Sequence, residues 1–180
     1  MSNTIPASDL TVMWRAAVAR IWANVDLLTK LDSVTGDGDH GTAMLRSMEA
    51  IEKTIDELPG AGPKELLAKA GWAVMSAAGG STGPLLGSFL MGMGTGLGDA
   101  AELDGPALSA VICGGIGQMH KHSKAQVGDK TMMDALLPAA EVLQANAASA
   151  APGELLKLAA EAAAGGAERT KDMLAKFGRA

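Results

Sequence analysis

Residues 70–98, AGWAVMSAAGGSTGPLLGSFLMGMGTGLG, contain no charged side chain and decide the fold of this chain. The stretch is long enough to cross a bilayer. It also carries nine glycines, Pro84 and five hydroxyl side chains, which make it a poor solute for hydrocarbon. We therefore expect no membrane span here, but a buried helical hairpin that turns at residues 79–83.

The rest of the chain is also typical of a helical protein. Hydrophobic residues make up 48% of the 180 residues, aromatic residues make up 3%, and there is no Tyr. Ala, Leu and Met favour helices, and β-branched residues are sparse. We predict an all-α fold of seven or eight helices, with neighbours mostly antiparallel because the connections are short. No linker or internal repeat divides residues 1–180, so we expect a single domain.

Capping residues, glycines and prolines predict where the helices begin and end. The expected helices run from a cap at Ser8 to about Lys30, from about Gly41 to Leu58, from Pro63 to about Ala78, from Pro84 onward, from a cap at Asp104 to about His120, from Lys130, capped by Asp129, to about Ala147, and from Pro152 onward, with a bend or division at Gly165-Gly166.

Charge and cysteine content narrow the partners and the setting. The net charge of -5 argues against non-specific binding of nucleic acid, which needs a basic surface. Cys113 is the single cysteine, so an internal disulfide is impossible, and a reducing, cytoplasmic setting is expected. The N-terminus, with Asp9 early in the chain, lacks the basic-then-apolar pattern of a signal peptide.

The loop LDSVTGDGDHGT at residues 31–42 is the strongest candidate site. Asp32, Asp37 and Asp39 lie within eight residues, and the intervening glycines allow the backbone to bring them together. Grouped carboxylates repel one another unless a cation lies among them, and an all-oxygen set suits magnesium or calcium. The sequence therefore predicts a hard-metal site here, with a capped turn and solvated aspartates as the alternative.

Two known loop types fit this stretch poorly. A calcium-binding EF-hand loop counted from Asp37 would have Thr42 at position six and Met48 at position twelve, where glycine and glutamate are required. The loop also matches the dinucleotide fingerprint Gly-x-Gly-x-x-Gly, but no strand precedes it. Two aspartates would repel a bare pyrophosphate, whereas magnesium between them would reverse that effect.

Two further loops join helices. Residues 79–84, at a helix start, offer backbone N–H groups and hydroxyls to a phosphate oxygen, or form a plain tight turn. In residues 128–132 the spacing differs from a Walker A loop, and Lys130 is expected to meet a phosphate or to pair with Asp129. His120 and His122 are two residues apart, a poor zinc pair, and are expected at the surface.

Taken together, these loops resemble the L subunit of bacterial dihydroxyacetone kinase. The resemblance rests on three co-ordered motifs at residues 36–42, 79–85 and 127–136, together with residues 168–173, and it spans most of the chain. It implies an antiparallel barrel of about eight helices with a nucleotide, ADP or ATP, bound at one end. It also implies two magnesium ions. The residues it assigns to the ligands are Asp32, Asp37 and Asp39 for the metals; His40, Gly41, Thr42, Ala43, Ser81, Thr82 and Arg179 for the phosphates; Met132 near the base; and Ser123, where the family usually has a glycine.

The resemblance further implies phosphoryl transfer to a short ketose that a separate K subunit holds covalently through a histidine. The donor is either ATP or bound ADP that a phosphotransferase-system protein phosphorylates again. Related possibilities stay open: a subunit of an erythrulose kinase, a nucleotide-dependent regulatory module that binds a transcription factor, and a helical scaffold without a ligand.

Overall fold

The structure is a computed structural model, described for residues 3–177. Within that range the chain forms eight α-helices and one pair of two-residue strands, which confirms the predicted all-α class. The elements are β1 Ile5–Pro6, α1 Leu10–Trp22, α2 Val25–Asp32, α3 His40–Glu57, α4 Pro63–Ala77, α5 Thr82–Leu97, β2 Glu102–Leu103, α6 Gly105–Met119, α7 Met133–Asn146 and α8 Pro152–Arg169.

The glycine-rich hairpin is the centre of the packing. Helix α5 makes extensive contact with both α4 and α6. A Cβ atom on Gly71 would lie 2.7 Å from the Gly87 carbonyl oxygen, and one on Gly92 would lie 2.8 Å from the Gly115 Cα. These backbones therefore approach more closely than side chains would allow. Among the described helices, none has the length and apolar character that crossing a membrane requires.

Contacts along the hairpin establish its direction. A Cβ on Gly94 would lie 3.2 Å from the Leu67 Cβ, near the start of α4, whereas Gly87 approaches Met75 near its end. Sequence numbers therefore rise along one helix as they fall along the other, so α4 and α5 are antiparallel, as predicted.

Leucine and methionine side chains from several helices fill the interior. The main cluster includes Leu67, Leu103 and Leu155, each 0% exposed. A smaller cluster around Met119 and Met133 lies between α6 and α7. From α2 to α7, each helix packs on the helix that follows it in the chain, and α1 packs on α3. The strands β1 and β2 pair antiparallel.

The first predicted helix is wrong in two respects. It is divided in two, because the Asn24 side chain donates to the Arg20 carbonyl (2.8 Å) and competes with continuation of the helix. Ser8 lies in a 3-10 turn, Ala7–Asp9, and α1 begins without a side-chain cap. By contrast, Asp104 caps α6 as predicted, accepting from the Ala107 N–H at 2.8 Å.

The ends of two later helices also differ from prediction. Helix α7 begins at Met133 and not at Lys130, because the Asp129 carboxylate does not cap it but accepts from the Gln126 N–H and from Lys176. Helix α8 runs unbroken through Gly165 and Gly166. Gly166 packs directly against the Asp134 carbonyl oxygen. In α7, Pro138 lacks the N–H that would otherwise bond that carbonyl, so the proline and the glycine together allow α7 and α8 to approach.

Candidate functional site

Three carboxylates converge at one end of α2 and α3. Asp32 is the last residue of α2, Asp39 immediately precedes α3, and Asp37 lies in the loop between them. One carboxylate oxygen from each lies within 4.8 Å of the others, with Asp32 partly buried and the other two exposed. The sequence predicted this cluster, and the structure brings its three members together.

Glycines shape the loop around Asp32. The Gly36 N–H donates to the Asp32 carbonyl oxygen at 2.6 Å, and a Cβ on Gly36 would lie only 2.8 Å from the Asp32 Cγ. Gly38 has a positive φ of 74°, which a residue with a side chain rarely adopts. The His40 N–H donates to Asp32 Oδ2 at 3.3 Å, which links the cluster to the first turn of α3.

The donor set fits a hard divalent cation. Ligands on opposite sides of magnesium lie about 4 Å apart, and those around calcium lie about 5 Å apart. The spacing of the three carboxylate oxygens falls within that range. Without a cation, three negative charges this close would repel one another. The cluster could therefore hold a metal ion of the magnesium or calcium type.

The N-termini of two long helices meet beside the cluster. Thr82 begins α5 and His40 begins α3, and Thr82 Oγ1 lies 3.5 Å from His40 Nδ1. Neither preceding residue, Asp39 or Ser81, caps its helix through its side chain. The positive ends of two helix dipoles therefore point to one place, which suits the phosphate oxygens of an anionic ligand.

A cavity of about 590 Å³ opens next to these helix ends, within the size range of ligand pockets. A smaller, mainly apolar cavity of about 300 Å³ adjoins it and shares His40, Thr82, Met119 and Met132 in its wall. The larger cavity is lined by His40, Ser81, Thr82, Pro84, Leu85, Met119, His122, Ser123, Ala125, Thr131, Met132, Met133 and Phe177.

The predicted ligand residues divide into groups. Those that line the larger cavity are His40, Ser81, Thr82, Ser123 and Met132. Gly41, Thr42 and Ala43 share the first turn of α3 with His40 but are not part of the cavity wall. Gly41 and Ala43 are buried, and Thr42 is exposed. Arg179 lies outside the described residues.

The loop at residues 128–132 has a different role from either one expected. The Lys130 ammonium donates to the Met173 carbonyl oxygen at 3.2 Å, so it neither pairs with Asp129 nor meets the cavity wall. Asp129 pairs instead with Lys176 at 2.7 Å. The Lys176 ammonium and the Gln126 backbone N–H hold the pKa of the Asp129 carboxyl below its usual value.

Sequence reasoning missed several residues of the cavity wall. His122 is exposed, as expected, but it also lines the larger cavity, as does Phe177. Aromatic residues are rare in this chain, which has two phenylalanines, so the presence of Phe177 near the C-terminus could have indicated a role in the site. No local pattern marks His122, because its position depends on where α6 ends relative to α5.

The fold and the site define an all-helical domain with a carboxylate metal-site candidate and an anion-binding end. The chain belongs to the DAK2 domain family, which matches residues 34–180.

Relatives with known roles include both separate subunits and larger enzymes. The chain is 40% identical over 157 residues to the ADP-binding subunit DhaL of PEP-dependent dihydroxyacetone kinase 2 from Listeria innocua, covering 86% of this chain and 73% of that protein. It is 40% identical to the triokinase/FMN cyclase of Bos taurus over 85% of this chain but 26% of that protein. It is 38% identical to the L-erythrulose 1-kinase of Mycolicibacterium smegmatis over 85% of this chain but 27% of that protein.

Proposed function

We propose that this chain is the nucleotide-binding subunit of a dihydroxyacetone kinase. It transfers a phosphoryl group from a magnesium nucleotide to dihydroxyacetone held on a separate K subunit. The observation that carries the proposal is that three carboxylates lie together beside the N-terminus of α3, which lines one cavity together with the N-terminus of α5. The ADP-binding role named for the Listeria relative supports it.

Each part of the site has a chemical task in this proposal. Asp32, Asp37 and Asp39 hold two magnesium ions, which when bound offset the charge of the phosphate oxygens. The first turn of α3, from His40 to Ala43, and the hydroxyls of Ser81 and Thr82 orient the phosphates.

The base binds in the larger cavity, beside Ser123 and Met132, in this proposal. The wall of that cavity is mostly apolar, which suits the faces of a flat base. Arg179 reaches the phosphates in this proposal. The helices close as an antiparallel barrel around this end, a proposal supported by the packing of successive helices.

The acceptor and the donor lie outside this chain in the proposal. The described residues supply nucleotide and metal ligands, and the ketose comes from the K subunit. Exposed Leu31 and Val34, 61% and 78% exposed beside Asp32, support a partner at the metal end. The PEP-dependent name of the Listeria relative favours bound ADP that a phosphotransferase-system protein phosphorylates again, over direct use of ATP. A cytoplasmic setting fits this scheme.

A second candidate is a subunit of an erythrulose kinase. The 38% identity to the L-erythrulose 1-kinase favours it. Both candidates use the same nucleotide site, because the choice of ketose belongs to the partner. Assaying the reconstituted pair with dihydroxyacetone and with erythrulose, and comparing kcat/KM, separates the two.

Removing one carboxylate tests the metal role. Asp37→Asn should abolish magnesium-dependent binding of ADP, because an amide replaces a charged ligand. Asp99→Asn is the matched control, since Asp99 is 94% exposed and lies beyond the opposite end of α5. Calorimetric titration with ADP, with and without magnesium, measures both variants. Unchanged affinity in Asp37→Asn would exclude this role.

The two-subunit arrangement has its own test. The isolated chain with ATP and dihydroxyacetone should give no turnover, and adding a K subunit and a phosphoryl donor should restore it. Native mass spectrometry of the purified chain then distinguishes the donors. Retained ADP indicates the phosphotransferase-system branch, and an empty, exchanging site indicates ATP. Robust turnover by the chain alone would contradict the arrangement.

A further inference from the structure

The segment from Met173 to Phe177, which we call the tail segment, lies across the loop formed by residues 126–134, the latch loop. Three contacts join them. Lys176 Nζ lies 2.7 Å from Asp129 Oδ1, the Lys176 N–H donates to the Asp129 carbonyl oxygen at 3.2 Å, and Lys130 Nζ donates to the Met173 carbonyl oxygen at 3.2 Å.

The latch loop is itself held firmly. The buried Asp134 carboxylate, in a residue 1% exposed, accepts from the N–H groups of Gly128 at 2.6 Å and Thr131 at 2.8 Å. Asp129 Oδ2 accepts from the Gln126 N–H at 2.8 Å. Because charge-assisted hydrogen bonds are strong, these contacts orient the loop before any ligand binds.

Lys130 has an unusual backbone conformation. Its φ of 58° is the only positive value among the described residues other than glycine. Such a conformation costs free energy and persists where surrounding contacts determine it. In Lys130 this backbone conformation occurs together with a side chain that donates to the Met173 carbonyl oxygen. Lys130 therefore helps to hold the tail segment.

Polar contacts, and not burial, keep the tail segment in place. None of its residues is buried, and Leu174 is 89% exposed. A segment that buries so little apolar surface opens readily unless specific contacts hold it. Its last residue, Phe177, lines the larger cavity together with Met132 of the latch loop.

We propose that Asp129 and Lys130 act as a latch that positions Phe177 against the base of the bound nucleotide, and that this latch controls how long the nucleotide stays bound. The inference rests on the proposed function. Phe177 contacts the base, while Asp129, Lys130 and Lys176 are positioning residues. A slow release of ADP matches a subunit in which the nucleotide is phosphorylated again in place.

The dissociation rate of a fluorescent ADP analogue, chased with unlabelled magnesium ADP, tests the latch. Phe177→Ala should raise this rate about fivefold or more, the lower end of what stacking of a base on an aromatic ring contributes. Lys176→Met should raise it about two- to fivefold, as expected for loss of an ion pair in which the lysine is 63% exposed and the carboxylate 9% exposed. Lys171→Met is the control, because Lys171 is a lysine of similar exposure, 70% against 63% for Lys176, whose ion pair with Glu168 does not involve the tail segment or the latch loop. Its rate should stay unchanged.

A double-mutant cycle separates the latch from a general loss of structure. Asp129→Asn keeps an acceptor for the Gln126 N–H but loses the charge that Lys176 meets. In that background, Lys176→Met should add no further increase in rate. Additive effects would show that the two residues act independently and would overturn the latch. The melting temperature of Lys176→Met should fall by a few degrees at most, because Lys176 is 63% exposed and the Asp129 carboxylate keeps its hydrogen bond from the Gln126 N–H.

Each failure has a distinct meaning. If the unmodified chain binds magnesium ADP, but Phe177→Ala and Lys176→Met release it at the original rate, the latch is refuted and the proposed function stands. If the unmodified chain does not bind magnesium ADP, both proposals are refuted.

Discussion

Gly36→Ala should weaken magnesium-dependent binding of ADP while leaving the helices intact. Gly36 lies in the loop between α2 and α3, and its hydrogen atoms face the Asp32 side chain. An added Cβ would lie 2.8 Å from the Asp32 Cγ and closer still to Oδ1. The Asp32 carboxylate must therefore turn away from its present position.

The size of the effect follows from that displacement. To restore an ordinary contact of 3.4 Å, the Asp32 Cγ must move by about 0.6 Å, three times the tolerance of about 0.2 Å in metal–ligand distances. Displacing a group that orients a metal ligand typically lowers metal affinity about 10- to 100-fold. The free energy of unfolding should fall by under about 1 kcal/mol, because the atoms that move are the end of a partly exposed side chain.

Calorimetry and urea unfolding measure the two quantities separately. The apparent affinity for ADP should be titrated at several magnesium concentrations in the original chain and in Gly36→Ala. Gly60→Ala is the control, because a Cβ there would meet no atom within 4 Å. A Gly36→Ala protein with the original magnesium dependence would refute the assignment of Asp32 as a ligand.

Two further predictions concern stability. Gly92→Ala should lower the free energy of unfolding by about 1–3 kcal/mol, because the new Cβ would meet the backbone of α6. Gly117→Ala, whose Cβ would lie in open space on α6, should raise the free energy of unfolding by up to about 1 kcal/mol, because alanine favours the helix. Urea unfolding measures both, and equal effects would contradict the packing argument. The ion pair between Asp129 and Lys176 should stabilise the folded chain above about pH 4, where the carboxylate is charged in both the folded and the unfolded state. Because the pKa of Asp129 is lowered in the folded state, this stabilisation is lost as the pH falls through the folded-state pKa. The difference in melting temperature between the original chain and Asp129→Asn should therefore be constant from about pH 5 to 7 and shrink below about pH 4, and a difference that persists at pH 2 would contradict the ion-pair account.

The sequence by itself determined the helical class, most helix boundaries and the metal-site candidate. These features are local. Proline and glycine end helices by their own backbone geometry, and Asp32, Asp37 and Asp39 are so close in the chain that the intervening glycines suffice to bring them together. The DAK2 resemblance was likewise carried by short, ordered motifs.

Only the tertiary structure decided which distant residues share the cavity and what the latch loop does. His40 and Thr82 meet because α4 packs against both α3 and α5, which brings the starts of α3 and α5 to the same end of the fold. Lys130 and Asp129 bind a segment more than forty residues away, so the local pattern could not reveal their partners. Contacts between residues so far apart in the sequence depend on how all the helices pack together, and no single stretch of sequence specifies that packing.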